Sequence, residues 1–161
     1  IEAIRSLPED TQSKIIFFII GDGEDFDRLQ KLSSGLPIQM LGKLERTDVI
    51  GILKASDIYI HSSLPGGGLS TSLLEAMYCQ CAIIATPDEG ADEIIKNTHN
   101  GLLIEKSSPK LLYEALSQLI ENQTTINRLS RQAVQDVRAR FNWNKSIEQY
   151  KEIFDQIQHD A

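Results

Sequence analysis

The sequence predicts an α/β fold: a Rossmann-like parallel sheet with helices on both faces, followed by C-terminal helices. Three observations carry this. Short apolar runs alternate with longer amphipathic stretches over residues 14–104, the pattern of strand and helix units wound about a parallel sheet. The short runs are almost continuously apolar, as a sheet covered on both faces requires. Beyond residue 106 only helical patterns remain. With 161 residues and 41% hydrophobic content, the chain suffices for one ordinary core. Residues 1–161 are therefore read as a single domain, with 107–161 its helical C-terminal part.

The elements follow in order. The chain opens on IEAIRSLPED, a helix-like stretch without an initiator Met, and these residues are expected to be cut from a longer protein. KIIFFII (14–20) is the first strand, followed by the glycine turn GDGE (21–24) and a helix over 25–34. IQML (38–41) is the second strand. RTDVIGILKAS then repeats Val49, Ile50, Ile52 and Leu53 at helical spacing over 46–55, with Thr47 or Asp48 placed to cap it. IYIH (58–61), AIIAT (82–86) and GLLI (101–104) are the remaining strands, separated by helices over 71–79 and 90–96. SSPKLLYEALSQLIEN begins with Ser108 as a cap and Pro109 at the first helical position, and two more helices follow over 124–140 and 143–158.

Charge and composition exclude several functions. Twenty-three acids against sixteen bases give a net charge of −7, which leaves no basic face for a phosphate backbone, so no nucleic-acid partner is expected. No secretory signal and no 18-residue apolar span is present, and the chain reads as cytoplasmic. Cys79 and Cys81 are too close to staple a domain and lack further cysteines for a thiolate zinc site, so they are expected to be buried free thiols.

A parallel sheet binds ligands outside the carboxyl ends of its strands, so the loops at 21–24, 42–46, 62–70 and 87–90 should share one rim. GDGE lacks the third glycine of a dinucleotide fingerprint, and its acids would repel phosphate, so it reads as a tight turn. The segment LPGGGLSTSLLEAMYCQC (64–81) is richer and has two readings. Ser72-Leu-Leu-Glu75 fits a capping box, in which Glu75 serves only helix stability. Alternatively, three glycines followed by the free amides of residues 70–72 form an anion site at a helix N-terminus, with Glu75 one turn in to accept a ribose diol. Spacing alone leaves both open. His61 at a strand end and Asp88 or Glu89 in PDEG have blander readings, as a loop histidine and as helix-start acids. His99 belongs to a turn closing on Gly101, and His159 sits in a polar tail. Trp143, Tyr150 and Phe154 share one helical stripe, read as packing surface.

GGLSTSLLEAMYCQCAIIATPDEGADEII, residues 67–95, resembles the characteristic segment of family 4 retaining glycosyltransferases, which have the GT-B fold. GDGEDFDRLQKL, MLGKLERTDVIGILKASDIYIHSS and NGLLIEKSSPKLLYEALSQLI fall in that family's order, so the likeness extends over nearly the whole chain. It implies a C-terminal, donor-binding half of a GT-B fold. The implied partners are a nucleotide-sugar and an N-terminal acceptor domain, with any membrane contact made through that missing part. The implied activity is hexosyl transfer with retention of configuration from a nucleotide-sugar, taken as a UDP-sugar, in surface-polysaccharide or O-antigen synthesis. No further cofactor and no metal held by Asp-x-Asp is implied.

Matched residue by residue, Glu75 corresponds to the second glutamate of the family's E-x7-E motif, which accepts from the ribose hydroxyls. Gly68, Leu69, Ser70, Thr71 and Ser72 correspond to the segment whose amides meet the diphosphate and sugar. Gly42, Lys43 and Leu44 correspond to the loop lying against the base. Two departures stand out. Gly67 occupies the place of the first motif glutamate, and the Arg and Lys that the family sets against the diphosphate have no counterpart. No catalytic acid or base is assigned, and the chain by itself is expected to bind nucleotide weakly and transfer nothing.

Overall fold

The computed structural model describes residues 1–62, 70–87, 90–105 and 108–159. Two short helices, α1 (Glu2–Arg5) and α2 (Glu9–Gln12), precede β1 (Phe17–Ile20) and α3 (Phe26–Leu32). Then come β2 (Ile38–Gly42), α4 (Arg46–Ala55), β3 (Ile58–His61), α5 (Thr71–Tyr78), β4 (Ala82–Ala85), α6 (Ala91–Ile94) and β5 (Leu102–Leu103). Helices α7 (Pro109–Ile120), α8 (Gln123–Arg140) and α9 (Trp143–His159) complete the chain.

All strand pairs are parallel, as the apolar runs required. The ladder is not continuous, however: among the described residues β1 pairs with β2, and β3, β4 and β5 form a second sheet in that order. Side chains hold the two together, because Phe17 of β1 and Ile38 of β2 pack on the same apolar cluster as Ile58 and Ile60 of β3. The first strand is also shorter than its apolar run. Turn hydrogen bonds from α2 continue to Ile15, so the ladder starts only where Phe17 N–H donates to Pro37 O at 2.8 Å.

β4 organises the core. Alternate residues of a strand face opposite sides, and all four residues of β4 are fully buried. Ala82 and Ile84 join α1 and α7 through Ile4, Leu7, Leu116 and Leu119 on one side. Ile83 and Ala85 join α5, α6 and α8 through Leu73, Met77, Ile94 and Val137 on the other. Helix α8 serves both layers, with Ile126 and Leu129 in the first and Ala133 and Val137 in the second. Coverage thins away from β4. In β1 burial alternates, leaving Phe18 and Ile20 39% and 36% exposed.

Local chemistry explains the junctions. Helix α7 starts as its sequence dictates: Ser108 Oγ accepts from Leu111 N–H at 3.3 Å and Pro109 takes the first turn. Helix α4 does not start as expected. Its N-cap is Glu45, in extended conformation, and neither Thr47 nor Asp48 caps it, since the helix begins at Arg46 and absorbs both into its first turn. Helix α5 ends in a Schellman motif, with Cys81 N–H donating to Ala76 O and Gln80 N–H to Met77 O. Fully buried Asn100 donates to Ile94 O and Asp136 Oδ2 and accepts from Lys96 N–H, tying the turn before β5 to α8.

In helix α9 Tyr150 and Phe154 are each 64% exposed, in line with Ile147, Ile153 and Ile157, as the resemblance implies for a last helix that crosses to the N-terminal domain. The cysteines divide. Cys81 is buried and donates to Leu53 O at 3.2 Å, whereas Cys79 is only half-buried. Among the described residues, no helix is long and apolar enough to cross a membrane.

Candidate functional site

Parallel ladders bring the carboxyl ends of neighbouring strands level. Gly21 N–H donates to Gly42 O at 2.8 Å beyond β1 and β2, and Thr86 N–H donates to His61 O at 2.9 Å beyond β3 and β4. One ion pair then links the ends of the two sheets. Arg46 opens α4 directly after the β2 loop, and its Nε and Nη2 lie 2.9 and 2.7 Å from Oε1 of Glu75 on α5. The Arg46 side chain is 82% exposed, while that of Glu75 is only 23% exposed, so the carboxylate is set into the rim and the guanidinium lies across it.

This pairing excludes the capping-box reading of Ser72 and Glu75. The N-cap of α5 is Ser70, in extended conformation, so Ser72 sits inside the first turn and the box register is wrong by two residues. The Ser70 side chain forms no cap hydrogen bond. Ser72 Oγ instead accepts from Tyr59 Oη at 2.9 Å and lies 2.8 Å from Ser70 Oγ. Burial raises the pKa of the Tyr59 phenol, which keeps it protonated as the donor of this chain near neutral pH. The hydroxyls of Ser70 and Ser72 are thus engaged with one another and with Tyr59. Among the described residues no side chain caps the first-turn amides at Thr71 and Ser72, which no helix satisfies internally.

The β2 loop contributes backbone. Gly42 ends the strand at φ +65°, a conformation that suits glycine, and turns the chain sharply onto the rim. Lys43 is exposed and Leu44 half-buried, and among the described residues their peptide groups form no hydrogen bond. The Arg46–Glu75 ion pair links the helix after Gly42, Lys43 and Leu44 to the helix that begins at Ser70, Thr71 and Ser72. Gly67, Gly68 and Leu69 lie outside the described residues, as do Asp88 and Glu89. His61, which ends β3, is 5% exposed and stacked on Tyr59 at 6.4 Å between ring centroids.

Two residues of the site were not read from the sequence. Arg46 looked like an ordinary helix-start residue, because its partner is 29 positions away. Tyr59 looked like one more apolar strand position. Chemistry elsewhere is sparse. The chain spells Asp-x-Asp once, as Asp25-Phe26-Asp27, but Asp25 is committed to Arg28 Nε at 2.8 Å, which lowers its pKa. Among the described residues no group of three or more His, Cys, Asp or Glu side chains gathers as a metal site. A polar cavity of about 370 Å³ lies at the opposite end of β3 and β4, lined by Lys54, Asp57, Gln80 and Asn127 among others, and contains none of the rim residues.

Comparisons with known proteins agree with the fold. An uncharacterised glycosyltransferase of Methanocaldococcus jannaschii is 44% identical over 160 residues, covering 98% of this chain and 41% of the relative. The N,N′-diacetylbacillosaminyl-diphospho-undecaprenol α-1,3-N-acetylgalactosaminyltransferase of Campylobacter jejuni is 30% identical over 144 residues, covering 87% of this chain and 37% of the relative. Among solved structures, Anabaena HepE in complex with UDP-glucose superposes with a TM-score of 0.83 at 21% identity, over 96% of this chain and 43% of that protein, a likeness of fold. The chain spans about two-fifths of the length of these relatives. A family model for glycosyl transferases group 1 matches residues 1–136, and the chain belongs to that family.

Proposed function

We propose that this chain is the donor-binding domain of a glycosyltransferase that takes a sugar from a nucleotide-sugar, a UDP-sugar, and passes it with retention of configuration to a lipid-linked or glycan acceptor. The observation that carries this is Glu75: a half-buried carboxylate on the rim, one turn inside a helix whose first amides no side chain caps. In this reading the ribose diol donates two charge-assisted hydrogen bonds to Glu75. The diphosphate meets the amides of Ser70, Thr71 and Ser72 with Gly68 and Leu69 beside them, and the base lies along Gly42, Lys43 and Leu44. As the sugar bond breaks, negative charge grows on the diphosphate, and fixed amides aligned with the positive end of a helix stabilise it there.

The names of relatives support the substrate class. The Campylobacter enzyme's name specifies an undecaprenol-diphosphate-linked acceptor, and HepE is described with UDP-glucose. The relatives' extra length supports a second domain that holds the acceptor. We place the protein at the cytoplasmic side of a surface-polysaccharide pathway, with this chain not its membrane anchor.

Gly67 favours a second reading, a nucleotide-binding module of the same fold that transfers nothing, because the glycine replaces the motif glutamate next to the reacting sugar. Calorimetric titration of the chain with UDP, GDP and ADP tests the shared part. Saturable binding of one nucleotide is expected, UDP first. Absence of binding to all three contradicts both readings. Sugar transfer by the full-length protein separates them, and transfer by this chain alone would overturn the assignment of acceptor and catalytic work to another domain.

A further inference from the structure

We infer that Arg46 is a positioning residue for the donor site, holding the Glu75 carboxylate in the orientation and charge balance that a ribose diol beside a diphosphate requires. This rests on the donor-site reading above. Three observations carry it. First, both guanidinium contacts go to the same oxygen, Oε1. A carboxylate offers about four lone-pair sites, so two donors on Oε1 fix the group and leave Oε2 open; among the described residues nothing else bonds it. Second, the ion pair joins two helices with different tasks. Arg46 follows Gly42, Lys43 and Leu44, and Glu75 belongs to the helix whose amides face the anion, so the pair sets the base loop relative to the helix.

Third, electrostatics demand a cation here. Glu75 lies four positions after Thr71, about 6 Å along the helix axis at 1.5 Å per residue. An unpaired carboxylate at that distance repels a diphosphate drawn to the same helix end, on a chain already carrying a net charge of −7. Arg46 cancels that repulsion without occupying the amides. Lys43 cannot replace it in the structure, being exposed on the loop with no ion pair among the described residues. A planar fork holds a carboxylate by two donors where an ammonium offers only a point charge.

The test is calorimetric titration of UDP and 2′-deoxyuridine diphosphate into the wild type, Arg46→Ala, Arg46→Lys, Glu75→Ala and Arg46→Ala/Glu75→Ala, with circular dichroism confirming the fold of each. The wild type should prefer UDP. Arg46→Ala should weaken UDP about tenfold and shrink the preference over the deoxy compound, and Arg46→Lys should fall between. Arg46→Ala combined with Glu75→Ala should bind UDP no worse than Glu75→Ala alone, because Arg46 acts through Glu75. Effects that add, an unchanged ribose preference in Arg46→Ala, or tighter UDP binding by that variant, which would make the ion pair a block, each overturn the inference while leaving the donor site standing. A wild type that binds UDP with no preference over the deoxy compound, or binds neither, removes the ribose role of Glu75 and the inference with it.

Discussion

Arg46 and Glu75 meet at a single carboxylate oxygen, with Nε at 2.9 Å and Nη2 at 2.7 Å from Oε1, and this contact fastens the helix after β2 to the helix after β3. Its exposure limits what it adds to stability. The arginine is 82% exposed, where water screens the pair and side-chain ordering offsets much of the attraction. Arg46→Ala should therefore change unfolding free energy by less than about 1 kcal/mol, measured by urea denaturation. A larger loss would mean that the pair holds the two layers together.

Gly101 is a packing requirement. A Cβ built there falls 2.8 Å from Ile95 Cγ2 and 3.1 Å from the backbone oxygen of Ile83, and the second neighbour belongs to a ladder strand that cannot shift freely. Gly101→Ala should destabilise by about 1–3 kcal/mol. At roughly 2–4 °C per kcal/mol for a domain of this size, a thermal melt resolves that loss.

Gln80 pulls the other way. It holds φ +66° at the αL position of the Schellman motif after α5, where glycine carries no Cβ penalty. Gln80→Gly should stabilise the fold by about 1 kcal/mol, the usual cost of the left-handed region for a residue with a side chain. Chemical denaturation reads it, and a lower midpoint would contradict the assignment.

Buried Cys81 sets a pH limit. Burial pushes its thiol from an ordinary 9.0 up to about 12, so the folded state holds the proton after the unfolded chain has lost it. The unfolded state then binds fewer protons, and stability falls as pH rises. The contribution is complete below about pH 9 and disappears between there and about 12, at up to about 1.4 kcal/mol per pH unit. Cys81→Ala should flatten that alkaline slope. In native protein near pH 8, alkylation should reach half-buried Cys79 and spare Cys81.

Much of the fold was legible because one kind of signal carried it. A run such as AIIAT can only be a strand covered on both sides, and Ser108 with Pro109 marks a helix start by geometry that needs no tertiary partner. Long-range competition decided the misreadings. Ser72 and Glu75 have perfect capping-box spacing, yet Tyr59 and Arg46 claim them from β3 and α4, and no local pattern announces those partners. Thr47 and Asp48 lost their capping role because the N-cap falls at Glu45, two and three residues before them. Hydrophobic spacing in α9 correctly announced a helix with an apolar face, but spacing does not say what covers that face. The candidate segment stood out in the sequence because glycines, hydroxyls and one acid cluster within a few residues. Arg46 was not, since an exposed arginine at a helix start looks the same whether or not it crosses to a carboxylate 29 residues away.

The most direct test of the central claim is calorimetric titration of UDP into the wild type and Glu75→Ala, with matched thermal melts. A ribose diol held by a carboxylate through two charge-assisted bonds is worth about 1.5–3 kcal/mol, so the variant should bind about tenfold to a hundredfold more weakly while remaining folded. Equal affinity of wild type and variant for UDP would contradict the account and leave Glu75 as no more than the partner of Arg46.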